Sequence, residues 1–541
     1  MDSIKEKVRI EPTLPIGLAD FAMLRELKKL YVDKTLQIYD LAQTEGYYFL
    51  SRPRRFGKGL LISTFESLFK NGLRDFKGLA IEKKWSDHTY PVIHLDLSAC
   101  REFNSLDEFK QKFTSMLIRA SERAKFSIPR IDGLGICDIY DAFDEMLSSL
   151  EDNVRLVLLI DEYDAPLNNC LLNVELFEHV KSELVSFYDT LKRNSYRLRF
   201  LFITGICRYK NLGIFSGMNF MTDISLHPDH GTLLGYTEDE LRKYFTPYIE
   251  RESEALDMGF EECLKAMAFY YDGYCFEENA STHVYKPWSI LNFLQYPERG
   301  FQNYWYDSAG RPSVLLNYIK SHSLKDPSAY EKDQILSKTS LLDSSQNIQK
   351  LDDLALLTQA GYLTIKNSYP GNIFVLNYPN KEVSLSMRNL YNEALFGEDI
   401  STAVRGSAYL IFATNSPKEI FAKLNYTFGR IDYQRFPIKD EAVLRGFLQM
   451  YLETGGIDDF QIEKHNAFGR SDLEFSAGER YYVLELKFAK KTSDENRMLG
   501  DAVKQIKERH YGEQCEHKKL IRMALVYSAA KRLFTGFEIV M

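Results

Sequence analysis

Leu156-Val-Leu-Leu-Ile160 is an unbroken apolar run that ends in two acids, Asp161 and Glu162. A strand with one wet face alternates. A continuous run needs cover on both faces, which is the environment of a central strand in a parallel sheet. Arg199-Phe-Leu-Phe-Ile-Thr204 is a second such run, and Tyr47-Tyr-Phe-Leu50 and Pro91-Val-Ile-His-Leu-Asp-Leu97 supply two more strands. Helical stretches separate them, so residues 1–245 are expected to form a doubly wound α/β sheet.

The chain has 541 residues, which at about 150 per domain suggests three or four domains. Its 45% hydrophobic and 27% charged residues are those of a globular protein and exclude a disordered one. The opening residues carry no apolar signal-like core, and no apolar run approaches the ~18 residues of a membrane span. Cysteines 100, 137, 170, 207, 263, 275 and 515 are scattered, without a CxxC pair. Neither a disulfide framework nor a zinc cage is indicated, and a reducing cytoplasm is the expected compartment. The net charge of −8 argues against a general nucleic-acid coat. Residues 481–541, however, hold 12 Lys/Arg against 8 Asp/Glu, a net of +4 on an otherwise acidic body. That hints at polyanion contact; a solvated helix face would look the same.

Between the strand at 47–50 and the helical run Leu60–Phe69 lies Ser51-Arg-Pro-Arg-Arg-Phe-Gly-Lys-Gly59. A phosphate loop reads G-x-x-x-x-G-K-[ST] in this strand–loop–helix context. Its backbone N–H groups cradle phosphates, and its lysine reaches the outer ones. Here Gly57 and Lys58 match, Arg52 takes the first glycine's place, and Gly59 replaces the hydroxyl that holds Mg²⁺. Ser63, one turn on, reaches a metal only through water. Asp161 is expected to hold Mg²⁺, Glu162 to orient the attacking water, and Thr204 to meet the γ-phosphate or that water. Arg54, Arg55 and Phe56 complete the expected nucleotide-binding set, and Arg208 is a candidate trigger. The bland alternatives are a solvated basic loop at Arg52, Arg54 and Arg55, and a helix N-cap at Asp161-Glu162.

Residues 246–400 read as mostly helical, with aromatic connectors such as Tyr270-Tyr-Asp-Gly-Tyr274. In the C-terminal part, 401–541, Asp472-Leu-Glu-Phe475 and Tyr481–Phe488 alternate as strands around Ser-Ala-Gly-Glu-Arg. A helix at Asp501–Tyr511 and a strand at Arg522–Tyr527 follow. Residues two apart share a strand face, so Glu485 and Lys487 point one way and Leu484, Leu486 and Phe488 the other. Asp472 on the paired strand completes D-x12-E-x-K. Two carboxylates offer the hard oxygens Mg²⁺ takes, and a lysine beside the metal activates water and steadies the phosphorane charge. The set resembles the PD-(D/E)XK arrangement. Glu441 opens a helix, Glu441–Tyr451, on the same stripe as Leu444, Leu448 and Tyr451, which makes it a third candidate ligand. As an alternative it is an exposed first-turn acid favoured by the helix dipole. E-x-K alone is also a common cross-strand ion pair. The ten histidines show no ligand spacing: His94 reads as a core or edge residue, and His227-Pro-Asp-His230 as a turn.

Leu14-Pro-Ile-Gly-Leu-Ala-Asp-Phe21, Tyr31-Val-Asp-Lys-Thr35, Arg52-Pro-Arg-Arg-Phe-Gly-Lys58 and Ile160-Asp-Glu-Tyr-Asp164 resemble the AAA-ATPase-like family of bacterial proteins. The likeness continues through Tyr271-Asp-Gly-Tyr274, Tyr285-Lys-Pro-Trp-Ser289, Gly361-Tyr-Leu-Thr364 and Asn377-Tyr-Pro-Asn380. That family carries a C-terminal PD-(D/E)XK nuclease-like domain, whose Pro-Asp pair is Ser471-Asp472 here. Gly59 and Lys286 depart from the family pattern. Gln505 and Tyr511 resemble residues of the helix that follows the catalytic hairpin. The resemblance implies an AAA-like P-loop domain (1–245), a helical lid or linker (246–400) and a restriction-endonuclease-like α/β domain (401–541). It implies ATP and Mg²⁺ as cofactors and nucleic acid, with DNA the expected form, as partner. No membrane association is expected, and a homo-oligomer is a candidate assembly. Hydrolysis of phosphodiester bonds is the expected activity. Its rivals are a nucleotide-sensing scaffold and an ATPase that remodels DNA without cutting it.

Overall fold

The computed structural model describes residues 12–128, 139–171, 173–208, 221–308, 315, 318, 327–342, 352–396, 407–457, 460–466, 469–512 and 517–540. Cys137 and Cys515 lie outside the described residues. The chain divides into two compact units, Met1–Leu315 with Glu331–Ser384, and Leu316–Tyr330 with Leu385–Met541.

The first unit is built on a five-stranded parallel sheet. Its strands are β1 (Gly46–Ser51), β2 (Val92–Asp96), β3 (Leu156–Asp161), β4 (Leu198–Gly205) and β5 (Thr222–Asp223), in the order β2-β3-β4-β1-β5. The apolar runs form its centre: every residue of β4, and all of β3 before Asp161, is buried. The helix Lys58–Asn71 covers one face, packing Phe65 and Phe69 against Phe200 and Phe202 at ring separations of 4.8–5.0 Å. The other face takes the helices Leu106–Arg123 and Val174–Arg193. In the latter, Phe177, Val180, Leu184, Phe187 and Leu191 recur at helical spacing, and Asn173 caps the first turn by accepting from Leu176 N–H. Strand order and helix layering leave the carboxyl ends of β1, β3 and β4 open beside one another.

In the region expected to be mostly helical, the helices Thr246–Ala255, Phe260–Tyr271 and Pro287–Gln295 pack, together with the preceding helix Glu238–Tyr244, around Phe245, Ile249, Met267, Tyr271 and Phe293. The region also holds an antiparallel sheet that periodicity concealed: β6 (Gln334–Ser337), β7 (Thr364–Tyr369) and β8 (Ile373–Asn377), in the order β6-β8-β7. β7 is largely polar, and its signature is the turn after it, where Gly371 and Asn372 adopt positive φ. Among the described residues no helix is long and apolar enough to cross a membrane.

The second unit holds a mixed sheet ordered β13-β12-β11-β10-β9, with β9 (Phe460–Asn466), β10 (Gly469–Ala477), β11 (Arg480–Ala489), β12 (Lys519–Ser528) and β13 (Leu533–Val540). β10 and β11 form the expected hairpin, with Leu473 opposite Leu484 and Gly478 at φ 57° in the turn. β11 and β12 run parallel. The helix between them spans Glu495–Glu508, so it starts six residues before the expected Asp501 and stops short of Tyr511. Ala502 and Ile506 dock it on Val483 and Ala524. Phe412 packs edge-on against Phe475 and Tyr482, tying the Ser407–Thr414 helix to the hairpin. Glu441 opens a helix that runs to Thr454, capped by Asp440 on Val443 N–H at 2.9 Å.

Candidate functional site

Each unit gathers one constellation. In the first, β1 ends at Ser51, and the loop turns through Arg55 (φ 69°) and Gly57 (φ 95°) into a helix whose first residue is Lys58. Only glycine takes the Gly57 conformation without cost. Lys58 is buried, and its Nζ donates to the carbonyls of Arg52 and Pro53 at 2.9 and 3.0 Å. Burial lowers its pKa, against the pull of Asp161, Asp164 and Glu162.

Asp161 closes β3. Its Oδ1 accepts from the Thr204 hydroxyl and from Glu162 N–H. Thr204, expected at a phosphate or water, is therefore bonded to the Asp161 carboxylate. A Cβ on Gly59 would lie 3.6 Å from Asp161 Oδ2 and 3.7 Å from Ala19 Cβ, ordinary contact distances, so a small side chain fits beside that carboxylate. Ser63 is otherwise engaged: its Oγ accepts from Phe21 N–H at 2.9 Å, which docks the helix Phe21–Glu26. Glu162 sits at φ 49°, is pushed upward in pKa by burial, and is ion-paired to Arg101. Asp164 is buried and accepts from the backbone N–H groups of Ile206 and Cys207, fixing the loop after β4.

The loop arginines divide. Arg52 is buried beneath the loop, donating to the carbonyls of Ser51, Ser225 and His230 and lying over the Phe276 ring; burial brings it down to about 9. The solvated alternative does not describe it. Arg55 is exposed and stacks on Trp288, whereas Arg54 lines a small cleft with Arg101, Glu162, Asn168 and Asn169. Arg208, the candidate trigger, is buried and paired with Asp223. Phe56 packs edge-on to Tyr274 and Phe276, each at 4.9 Å. It also walls an apolar pocket of about 80 Å³ with Tyr31, Gly57, Leu60, Leu61 and Leu234. His94 is ion-paired to Glu66 at 3.0 Å, and His227 and His230 flank a short turn.

In the second unit, the pairing of Leu473 with Leu484 sets Asp472 beside Glu485 on neighbouring strands. Asp472 accepts from Leu486 N–H through Oδ2 at 2.8 Å and from Arg445 through Oδ1 at 3.4 Å. Glu485 is fully buried. Its Oε1 accepts from Lys487 Nζ at 2.8 Å, and its Oε2 has no hydrogen-bond partner. Burial, then Asp472, pushes its carboxyl up to about 7 despite Lys487. Glu441 is raised by burial and lies within electrostatic reach of Lys487 and Asp472. A first-turn acid in solvent would not feel those groups.

Among the described residues, no three His, Cys, Asp or Glu side chains form a ready-made metal cage. A small hard cation needs no such cage, since it keeps several waters and takes one or two carboxylates. An orphaned carboxylate oxygen inside the fold, next to a second carboxylate, fits that demand. Tyr511 lies just past the helix, donates to Arg470 O at 2.5 Å and accepts from Gln505 and Arg509. Gln505 thus meets Tyr511. Sequence reasoning missed Arg445, Arg509, Arg101 and Asp164. Arg445 had a signal, four residues after Glu441 on one helix face; Arg101 had none.

Residues 15–215 match the family model of predicted AAA-ATPases, and residues 439–538 match that of the PD-(D/E)XK nuclease superfamily. An uncharacterized protein in the vnfD 5' region of Azotobacter chroococcum mcd 1 is 27% identical over 546 residues, spanning 97% of this chain and 98% of its own. Among solved structures, the Aeropyrum pernix ORC2 protein in its ADPNP-ADP complexes aligns at 11% identity and a TM-score of 0.23, over 71% of this chain and 96% of its own. Cdc6p from Pyrobaculum aerophilum aligns at 12% and 0.25, over 82% and 87%. At those TM-scores neither likeness carries an argument.

Proposed function

From a chain that joins an AAA-ATPase-like domain to a PD-(D/E)XK nuclease-superfamily domain, we propose a nucleotide-binding, metal-dependent nuclease whose substrate is DNA. The observation that carries the reading is Glu485 Oε2, a buried carboxylate oxygen with no partner, beside Asp472 and Lys487. Asp472 and Glu485, with Glu441 behind them, would hold a divalent cation. Bound there, the cation supplies Lewis-acid polarisation and a more acidic water. Lys487 faces the same point as a cation and steadies charge on the phosphoryl oxygens. Arg445 holds Asp472 in place.

The experiment is nicking of supercoiled plasmid in Mg²⁺ or Mn²⁺ and in EDTA, with and without ATP, beside Asp472→Asn. Metal-dependent nicking absent from the variant is expected. Nicking that survives EDTA, or that the variant shares, would sink the reading.

At the first site, Lys58 and Arg54 are the proposed phosphate contacts, and the apolar pocket walled by Tyr31, Leu60 and Leu61 the base site. Lys58→Ala is expected to weaken ATP at least about tenfold, the lower range for a charge-assisted hydrogen bond. Equal affinity by titration would remove Lys58 from the site.

Two observations favour slow turnover, with ATP serving as a signal more than as fuel. Gly59 offers Mg²⁺ no hydroxyl, and Glu162 is occupied by Arg101. Gly59→Ser should therefore speed ATP hydrolysis, because a hydroxyl beside Asp161 would give Mg²⁺ the ligand it lacks. Adding Arg101→Ala should raise the rate a further two- to fivefold, roughly the worth of an exposed ion pair. Steady-state phosphate release checks both, and unchanged rates would show that neither feature limits turnover.

A further inference from the structure

Gly469, the first residue of β10, is three positions before Asp472. A Cβ there would meet Arg509 Cδ at 2.5 Å, Nε at 3.1 Å and Nη1 at 3.2 Å. Arg509 therefore lies flat across the start of the strand that carries Asp472, in space only a glycine leaves. Its Nη1 donates to the Tyr511 hydroxyl at 3.0 Å, and that hydroxyl donates onward to Arg470 O. The bond to Tyr511 and, less strongly, the Glu485 carboxylate raise the Arg509 pKa, so the guanidinium lies within electrostatic reach of the acid pair. Arg445 stands by Asp472, so the two carboxylates have an arginine at each of two places. Their tasks differ. Arg445 bonds the carboxylate itself, whereas Arg509 donates to the Tyr511 hydroxyl and keeps part of its surface in solvent.

We propose that Arg509 is a backbone-phosphate contact of the nuclease site, gripping the nucleic-acid strand beside the phosphate that is cut, and that Gly469 is glycine to admit it. The inference rests on the nuclease reading above. A guanidinium presents a planar fork that pairs with two phosphate oxygens at once, and it stays charged at any working pH. Its position at the rim makes it a binding group: it reads no base, and it fixes the strand so that the next phosphate falls at Asp472, Glu485 and Lys487.

Each phosphate neutralised by a protein cation releases counterions, so log K against log salt falls with a slope of about −0.9 per contact on duplex DNA. A structural strap has no such signature. The test measures binding of a fluorescein-labelled DNA duplex by anisotropy, across a salt series in EDTA, for wild type, Arg509→Ala, Arg509→Lys, Gly469→Ala and Tyr511→Phe. Cleavage at saturating duplex in Mg²⁺ is followed in parallel. Arg509→Ala should weaken binding about tenfold and flatten the slope by about one contact. Lys at 509 should restore the slope but only part of the affinity. Gly469→Ala pushes the guanidinium aside without removing its charge, and should weaken binding in the same direction. Tyr511→Phe should keep the slope.

An unchanged slope in Arg509→Ala overturns the proposal. So does a Tyr511→Phe protein that copies the alanine variant in slope, since the arginine would then be part of a strap. Failure of the nuclease reading looks different: wild type would bind duplex with the Arg509-dependent slope and never cut it. Duplex that does not bind wild type at all would defeat both.

Discussion

Lys487→Ala should lower single-turnover cleavage about a hundred- to a thousandfold at saturating Mg²⁺, the usual loss when one preorganised donor to a developing charge is removed. The size follows from what Lys487 is in this fold. Burial works against its charge, yet Glu485, Glu441 and Asp472 outweigh burial and hold it above the ordinary lysine value. It is a cation at every pH at which a nuclease works, so it cannot take a proton from water; its contribution is electrostatic. Its Nζ is tethered to Glu485 Oε1 and Leu486 O, which fixes the charge in place before substrate arrives. Two effects of the variant must be separated. Removing the cation also leaves Glu485 and Asp472 repelling each other, which pushes the Glu485 carboxyl further up and weakens any bound metal. Saturating metal removes that second effect, and the residual loss in rate is the direct one. Lys487→Arg should recover part of it by keeping a charge. A Lys487→Ala rate equal to wild type at saturating metal would strip Lys487 of any part in the chemistry.

The parts of this fold that could be read in the sequence are those governed by short-range pattern. Leu156–Ile160 had to be covered on both faces, and it is. The two-residue period of Tyr481–Phe488 put Glu485 and Lys487 on one face, and their side chains bond each other. Gly57-Lys58 opens a helix where a phosphate loop should. What escaped was set by partners far along the chain. Arg52 looked like one of three loop cations, but its role depends on carbonyls at Ser225 and His230. Ser63 looked free until Phe21 claimed its oxygen. β7 escaped because a polar strand on a small sheet has little alternation to show. Arg509 escaped because a glycine forty residues earlier makes its room. In each case the deciding contact has no local signature, only a geometric one.

Glu252→Gln should stabilise by about 1 kcal/mol at pH 5 and by about 3.5 kcal/mol at pH 8. Glu252 lies wholly buried in the Thr246–Ala255 helix, and neither carboxyl oxygen has a hydrogen-bond partner. Burial raises it to about 7. Arg251 on the same helix pulls it down, and Glu298 pushes it up. Cys263 and Tyr304 are the other titratable groups near it, both neutral at these pH values because burial raises them too. The sign follows from proton counting. In the unfolded chain the group ionises near 4.3, and in the folded chain near 7, so between those values the folded state binds the extra proton. Stability attributable to this group is therefore full below about 4.3, falls as pH rises, and is gone above about 7. The interval from about 4.3 to about 7, at 1.36 kcal/mol per pH unit, gives the figure of about 3.5 kcal/mol. Glutamine keeps the shape and carries no proton to lose. The melting-temperature gap between variant and wild type should thus open by roughly 3 °C from pH 5 to pH 8. A gap of the same size at both values would mean that Glu252 is held ionised by the fold, and that its burial is compensated by a group in reach of its carboxylate.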